Sequence, residues 1–304
     1  MTSPNPRFAQ KLAWRLEALA LDLGRLLLRL LPIDWASALG AAVLRTLGPL
    51  TPSHRVAATN IALAFPELDE TGRRALLKAQ WESLGRTFFE FPNNDRLRPI
   101  SGRIEIVGSE RLAEIAAGGR PVVFVSGHLC NFELMSSVIV NAGIDCQITY
   151  RAANNPYVEA SFRRIRARYG VKLFAPKGGD GARELLESMA KGESVALMND
   201  QKFNGGIRLP FFGHPADTAA GPTRLALRFG AVLQPMSVQR TRGARFKVVV
   251  HPPIELVRTG DRKRDLEAGV AAINAFIEAR VRERPHEWFW VHRRWPKEAY
   301  AKEG

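Results

Sequence analysis

The 304-residue sequence predicts an α/β fold, with a mostly parallel central sheet flanked by helices and a helical segment in front of it. Three observations predict this. Up to about residue 100 the apolar residues recur at helical spacing between punctuating prolines; from about Arg103 short β-branched runs alternate with helical stretches; and 46% hydrophobic residues suffice for a core in a chain of this length. No Gly/Ser-rich stretch marks the change, so a helical N-terminal subdomain, 1–100, adjoins an α/β domain, 101–304, without a flexible linker.

Taken in order, the first helix is stopped by Pro32. Asp34 can cap a second through about Leu47, Pro49 and Pro52 separate it from the next segment, and residues 70–91 form a further helix. Strands are expected at Ile104–Val107, Val122–Ser126, Asp145–Tyr150, Val171–Phe174, Ser194–Met198, Ala231–Gln239 and Phe246–Val250. Helices are expected near 108–117, 131–142, 156–169, 180–191, 218–229 and 263–283. Strands that alternate with helices call for crossovers, hence the mostly parallel sheet.

Residues 12–50 are rich in Leu and Ala after a basic start, but Arg15, Glu17, Asp22, Arg25, Arg29 and Arg45 interrupt them. No run reaches the roughly 18 apolar residues of a spanning helix. At about 100° per residue, Lys11, Arg15, Asp22, Arg25 and Arg29 fall within a stripe of roughly 80°. Leu16, Leu19, Leu23, Leu26, Leu27, Leu30 and Leu31 lie outside it, and only Glu17 breaks the pattern. Such a helix is expected to lie in a bilayer interface with its arginines reaching phosphates; the alternative is a core helix of the same domain.

A formal charge of +14 and a pI near 10.4 call for an anionic partner, whether nucleic acid, an acidic protein or a membrane carrying negative lipid. Cys130 and Cys146 are too few for a disulfide framework and lack CxxC spacing, which fits a reducing compartment and a cytoplasmic catalytic domain.

The most informative stretch is PVVFVSGHLCNFELM, residues 121–135. An apolar strand ends at Ser126-Gly127, His128 follows in the turn, and Asn131 can cap a helix that carries Glu133. In open α/β sheets ligands collect beyond the carboxyl ends of the strands, where this histidine belongs. An imidazole whose far nitrogen is hydrogen-bonded to a carboxylate makes a general base near neutral pH, and five residues across a turn let His128 and Glu133 meet. A helix-capping histidine and a solvated glutamate are the bland alternative. Phe124 stands where a nucleophile elbow has glycine, which argues against a serine hydrolase. The six histidines lack HExxH spacing or a cysteine cluster, so no metal is expected. Gly178-Gly179-Asp180-Gly181 lacks the Lys-Ser/Thr of a P-loop and reads as a loop.

His128-Leu-Cys-Asn-Phe-Glu133 resembles the HxxxxE form of the motif of glycerolipid and lipid A acyltransferases. Further blocks are similar to the bacterial lipid A late acyltransferases. They are Asn60-Ile61, Ala64-Phe65-Pro66-Glu67, Tyr150-Arg151, Asn155-Pro156-Tyr157 with its arginine-rich helix, Lys191-Gly192-Glu193 and Asp200-Gln201. Pro210-Phe211-Phe212-Gly213, Ala216-Asp217-Thr218, Gly221 and Trp290-Val291-His292-Arg293-Arg294-Trp295 complete the succession, which runs in order over about residues 10–296.

The resemblance implies a glycerolipid acyltransferase-like fold and, on the cytoplasmic face of the inner membrane, transfer of a fatty acyl chain from acyl carrier protein to a hydroxyl of the Kdo-bearing lipid A precursor. It implies that His128 takes the proton, that Glu133 orients it, and that neither an acyl-enzyme nor a cofactor is needed. Arg166 matches the family's arginine, with Arg163 and Arg164 close by, and Asp200 matches its aspartate; with Arg151 these are the expected substrate-binding residues. The same chemistry on another glycolipid, such as a phosphatidylinositol mannoside, or with acyl-CoA as donor, is the alternative. A basic nucleic-acid-binding module accounts for the charge but not for the ordered blocks, so no nucleic-acid partner is expected.

Overall fold

The computed structural model describes residues 8–150, 152–171, 174–176 and 181–300. Four helices come first: α1 (Phe8–Leu30), α2 (Ile33–Leu47), α3 (Ser53–Ala64) and α4 (Glu70–Glu90), followed by a 3-10 turn over Phe91–Arg96. Strands and helices then alternate as β1 (Ile104–Val107), α5 (Ser109–Gly118), β2 (Val122–Ser126), α6 (Glu133–Asn141), β3 (Cys146–Tyr150), α7 (Pro156–Arg168), β4 (Phe174–Pro176), α8 (Gly181–Ala190) and β5 (Ser194–Met198). A hairpin, β6 (Ile207–Phe211) and β7 (His214–Thr218), precedes α9 (Gly221–Phe229), β8 (Val232–Arg242), β9 (Arg245–Val250) and α10 (Arg262–Glu283).

The main sheet has the order β1-β9-β8-β2-β5-β3-β4. The strands from β8 to β4 are parallel; β9 turns back antiparallel to β8, and β1 pairs parallel with β9. Every residue of β2 is buried, as a central strand covered on both faces must be. Its side chains alternate between two cores. Val123 and Val125 join Val195, Leu225, Ile273 and Ile277 beneath α9 and α10, while Val122 and Phe124 join Leu134, Val138, Ile139 and Met236 beneath α6. The alternating half of the sequence thus folds as expected, in an α/β arrangement with a mostly parallel sheet.

Several expectations are corrected. Helix α3 and the β6–β7 hairpin were not foreseen, and α9 starts at Gly221 because Thr218 ends β7. The strand expected at Val171–Phe174 is found at Phe174–Pro176, with 172 and 173 outside the described residues, as are Gly178, Gly179 and Asp180. Asp34 lies inside the first turn of α2, where it pairs with Arg103 (2.9 Å) and accepts from the amide of Ala244 (2.8 Å). Asn131 caps nothing: its amide donates to Glu90 (3.1 Å) and Asn94 (3.0 Å) in a buried network that Arg240 completes from β8.

The later part of the polar stripe of α1, Asp22, Arg25 and Arg29, is turned inward, while Lys11 and Arg15 are exposed. Asn155 donates to Glu17 (2.8 Å) and to the carbonyl of Trp14 (2.8 Å), which explains the one residue that broke the sequence pattern. Ser161 of α7 donates to Asp22 (2.6 Å), Arg25 donates to Ser161 (3.0 Å), and Arg29 makes a two-pronged contact with Asp95 (2.7 and 2.9 Å). Arg25 and Arg29 therefore grip protein rather than phosphate. The leucine face is left outside, with Leu16, Leu19, Leu23, Leu26 and Leu27 exposed and Trp35 of α2 69% exposed. Among the described residues no helix is long and apolar enough to cross a membrane.

Candidate active site

β2 and β5 are neighbours with Ser126 opposite Met198, and the pairing continues through a bond from the amide of Asn199 to the carbonyl of Ser126 (2.9 Å). Two residues past each strand end, this register sets His128 beside Asp200. The carboxylate takes three donors: the His128 amide (2.6 Å) and the Trp288 indole (2.7 Å) on Oδ2, and the imidazole Nδ1 (2.6 Å) on Oδ1. Gly127 permits the approach, since a Cβ there would stand 3.2 Å from Asp200 Oδ2 and 3.0 Å from Ile277. Burial opposes ionisation of Asp200, but the His128 charge and these hydrogen bonds outweigh it and hold the carboxyl well below the usual range. An ionised carboxylate only accepts, so Nδ1 carries a proton in either state of the ring, and in the neutral ring Nε2 is the free base. Phe132 meets the ring edge-on at 4.8 Å and Phe289 lies at 6.0 Å.

Glu133 is engaged elsewhere. As the first residue of α6 it accepts from Arg166 Nη2 (2.5 Å) and Nε (3.0 Å) and from the Tyr169 hydroxyl (2.8 Å). Burial is again the largest influence and opposes its charge; the Arg166 cation, these bonds and, more weakly, His128 prevail and lower its pKa. The expectation that Glu133 holds the far nitrogen of His128 is thus corrected, because α7 supplies a better-matched partner in Arg166. That guanidinium also lies over the rings of Tyr150 (5.4 Å) and Phe91 (5.5 Å). Arg163 bonds the Tyr150 hydroxyl (2.7 Å) and Glu159 (3.0 Å), whereas Arg164 is exposed, donating to the carbonyl of Ala160. Arg151 lies outside the described residues.

Two cavities meet at this cluster. One, of about 360 Å³, runs between α6 and the sheet face formed by β2, β5 and β3. The other, of about 300 Å³, lies between α4, α7 and Glu287–Phe289 and reaches Phe88, which is 52% exposed. His128, Phe132, Glu133, Arg166 and Gln201 line both. A positioned imidazole thus faces two largely apolar chambers, an arrangement suited to removing a proton from a hydroxyl while hydrocarbon is held on either side.

A family model described as bacterial lipid A biosynthesis acyltransferase matches residues 15–297. The chain belongs to that family. A lipid A biosynthesis lauroyltransferase of Escherichia coli (strain K12) is 26% identical over 247 residues, 77% of this chain and 76% of that one. A lipid A biosynthesis acyltransferase of Haemophilus influenzae is 23% identical over 241 residues, 77% and 73% of the two chains, and a palmitoleoyltransferase of E. coli is 25% identical over 251 residues, 79% and 77%.

In this lipid A biosynthesis acyltransferase the sequence-predicted residues His128, Glu133, Arg166 and Asp200 do converge, in two pairs rather than the one foreseen. Sequence reasoning missed Trp288 and Tyr169. Trp288 stands two residues ahead of the Trp290–Trp295 block, outside the succession of family-like blocks, and its indole buttresses the carboxylate beside the histidine. The only available signal for Tyr169 was its place one turn after Arg166 on the arginine-rich helix.

Proposed function

We propose that this acyltransferase moves a fatty acyl chain from acyl carrier protein to a hydroxyl of the Kdo-bearing lipid A precursor, with His128 as general base. The observation that carries the proposal is the His128–Asp200 pair standing where two apolar cavities meet. Nε2 of His128 takes the hydroxyl proton as the hydroxyl oxygen bonds to the thioester carbonyl carbon. The carbon–sulfur bond then breaks, and the proton passes to the departing thiolate, giving an ester and a free thiol. Asp200 fixes the tautomer and stabilises the imidazolium. Glu133, held by Arg166 and Tyr169, adds negative field beside it and anchors Arg166 at the cavity junction, where that cation can contact substrate phosphate or the developing oxyanion; Arg164 and Arg151 are further candidates by the family resemblance alone.

The cavity under α6 receives the donor chain. The other receives the acceptor, because it opens by exposed Phe88 on the helical subdomain that also carries the bare leucine face of α1. That face lies in the bilayer interface on the cytoplasmic side of the inner membrane, and the net charge of +14 favours both anionic lipid and an acidic carrier. The test is purified enzyme with the Kdo-bearing precursor and either acyl carrier protein or CoA thioester, read by mass spectrometry of the lipid. Acylation from the carrier, absent with His128→Ala, is expected. An unchanged precursor, or transfer only to a phosphatidylinositol mannoside offered in parallel, overturns the assignment.

A further inference from the structure

The cavity under α6 has a stepped floor. Counting back from His128, the first row across the sheet is Ser126 beside Met198; the second is Phe124, Ala196 and Ile148, in register on β2, β5 and β3. At about 3.3 Å of rise per residue the second row lies roughly 6–7 Å deeper. All three of its members face the α6 layer, from which Met135 and Ile139 close the cavity. β5 sits in the interior of the sheet, yet Ala196 and Met198 are only partly buried, and both line this cavity. Their exposure is therefore to the cavity. Between phenylalanine and isoleucine, the single methyl of Ala196 leaves a notch one side chain wide.

We propose that Ala196 sets the length of acyl chain this enzyme transfers, a proposal that rests on the assignment of this cavity to the donor. A chain whose thioester stands at His128 passes the Ser126–Met198 row and lays its terminal carbons in the notch. Filling the notch denies those carbons their apolar surroundings, at roughly fourfold in kcat/KM for each methylene excluded.

The experiment compares the full-length wild type with Ala196→Val and Ala196→Leu on saturated acyl thioesters of increasing length, at fixed acceptor concentration. The ratio of kcat/KM for long over short donors is expected to fall by at least fourfold in each variant, more in the leucine one, and the optimum to move to shorter chains. Ile148→Ala, at the end of the same row, is expected to move it to longer ones. Folded variants with the wild-type ratio overturn the inference, as does a shift in acceptor preference instead. Failure of both Ala196 variants to fold would show the notch to be packed core and overturn it equally. Absence of transfer by the wild type from every donor would remove the acyltransfer reading, and this inference with it.

Discussion

Asp200 accepts from both the backbone and the ring of His128, so its charge and the histidine's tautomer are set together. His128→Ala should lower the single-turnover rate by about 10²–10⁴, the usual contribution of a general base. Asp200→Asn should cost a comparable factor, because an amide nitrogen facing Nδ1 moves the ring proton to Nε2 and removes the base. The double variant should be little worse than either single one, since groups acting as one unit are non-additive; losses that multiply would separate them. Glu133→Gln has a different consequence. It leaves the Arg166 cation without its paired carboxylate in a site where its side chain is 12% exposed, which should destabilise the fold by about 3–5 kcal/mol. Adding Arg166→Met should restore much of that loss, and urea titrations of the three variants measure it. Both carboxylates were visible in the sequence. Their partners were not, because Glu133 is near His128 along the chain, whereas Asp200 reaches it only through the pairing of β2 with β5.

Inward arginines and outward leucines give α1 two separable attachments. Replacing Leu16, Leu19, Leu23 and Leu26 with glutamine should weaken sedimentation with anionic vesicles and leave the helix docked. Neutralising Arg25 and Arg29 should instead release α1 from α7 and the 91–96 turn, seen as faster proteolysis in that helix without lipid; unchanged cleavage would discount those contacts. α2 and α4 cross at Gly40 and Gly85, where a Cβ on Gly85 would stand 2.0 Å from the carbonyl oxygen of Gly40. Gly85→Ala should therefore cost about 1–3 kcal/mol in denaturant unfolding, the usual range for overpacking. The long helices and most of the parallel strands were legible because their periodicity repeats over enough residues to stand out. The hairpin was hidden by Pro210 and Pro215, which pair across it and contradict strand propensity. Asn131 was misread because a capping residue and a buried network residue share one sequence signature.

Across the whole molecule, acid stability turns on histidine as well as on carboxylates. His251 bonds Ser237 (2.7 Å), and burial, then the Arg280 and Arg111 charges, push its pKa from 6.5 down to about 4. Between these values the unfolded chain binds a proton that the folded one refuses, so this contribution to stability is whole above pH 6.5 and is lost as pH falls toward about 4. Denaturant titrations over that window should show wild type losing stability faster than His251→Gln; identical slopes would contradict the assignment. Asp200 and Glu133, both depressed, act lower still, their contributions present above the ordinary carboxylate range and lost only as pH falls through their folded pKa values. None of this was readable from composition. Fold class followed from the order of periodicities, but the antiparallel return of β9 and the 7-stranded order that places β5 beside β2 are long-range pairings that no local pattern encodes.

The meeting of two cavities at one imidazole also bears on how a turnover ends. On the proposed assignment, the ester formed at His128 has one hydrocarbon arm in each chamber, and the arm under α6 is now tied to the lipid in the other. The product cannot depart as two pieces. It leaves by drawing the newly joined arm past Phe132 and out along the acceptor's path, so the bilayer acts as the sink that empties the enzyme. Steady-state turnover without a membrane should then stall after the first cycle, as a burst whose amplitude matches the enzyme concentration, and added vesicles should release it.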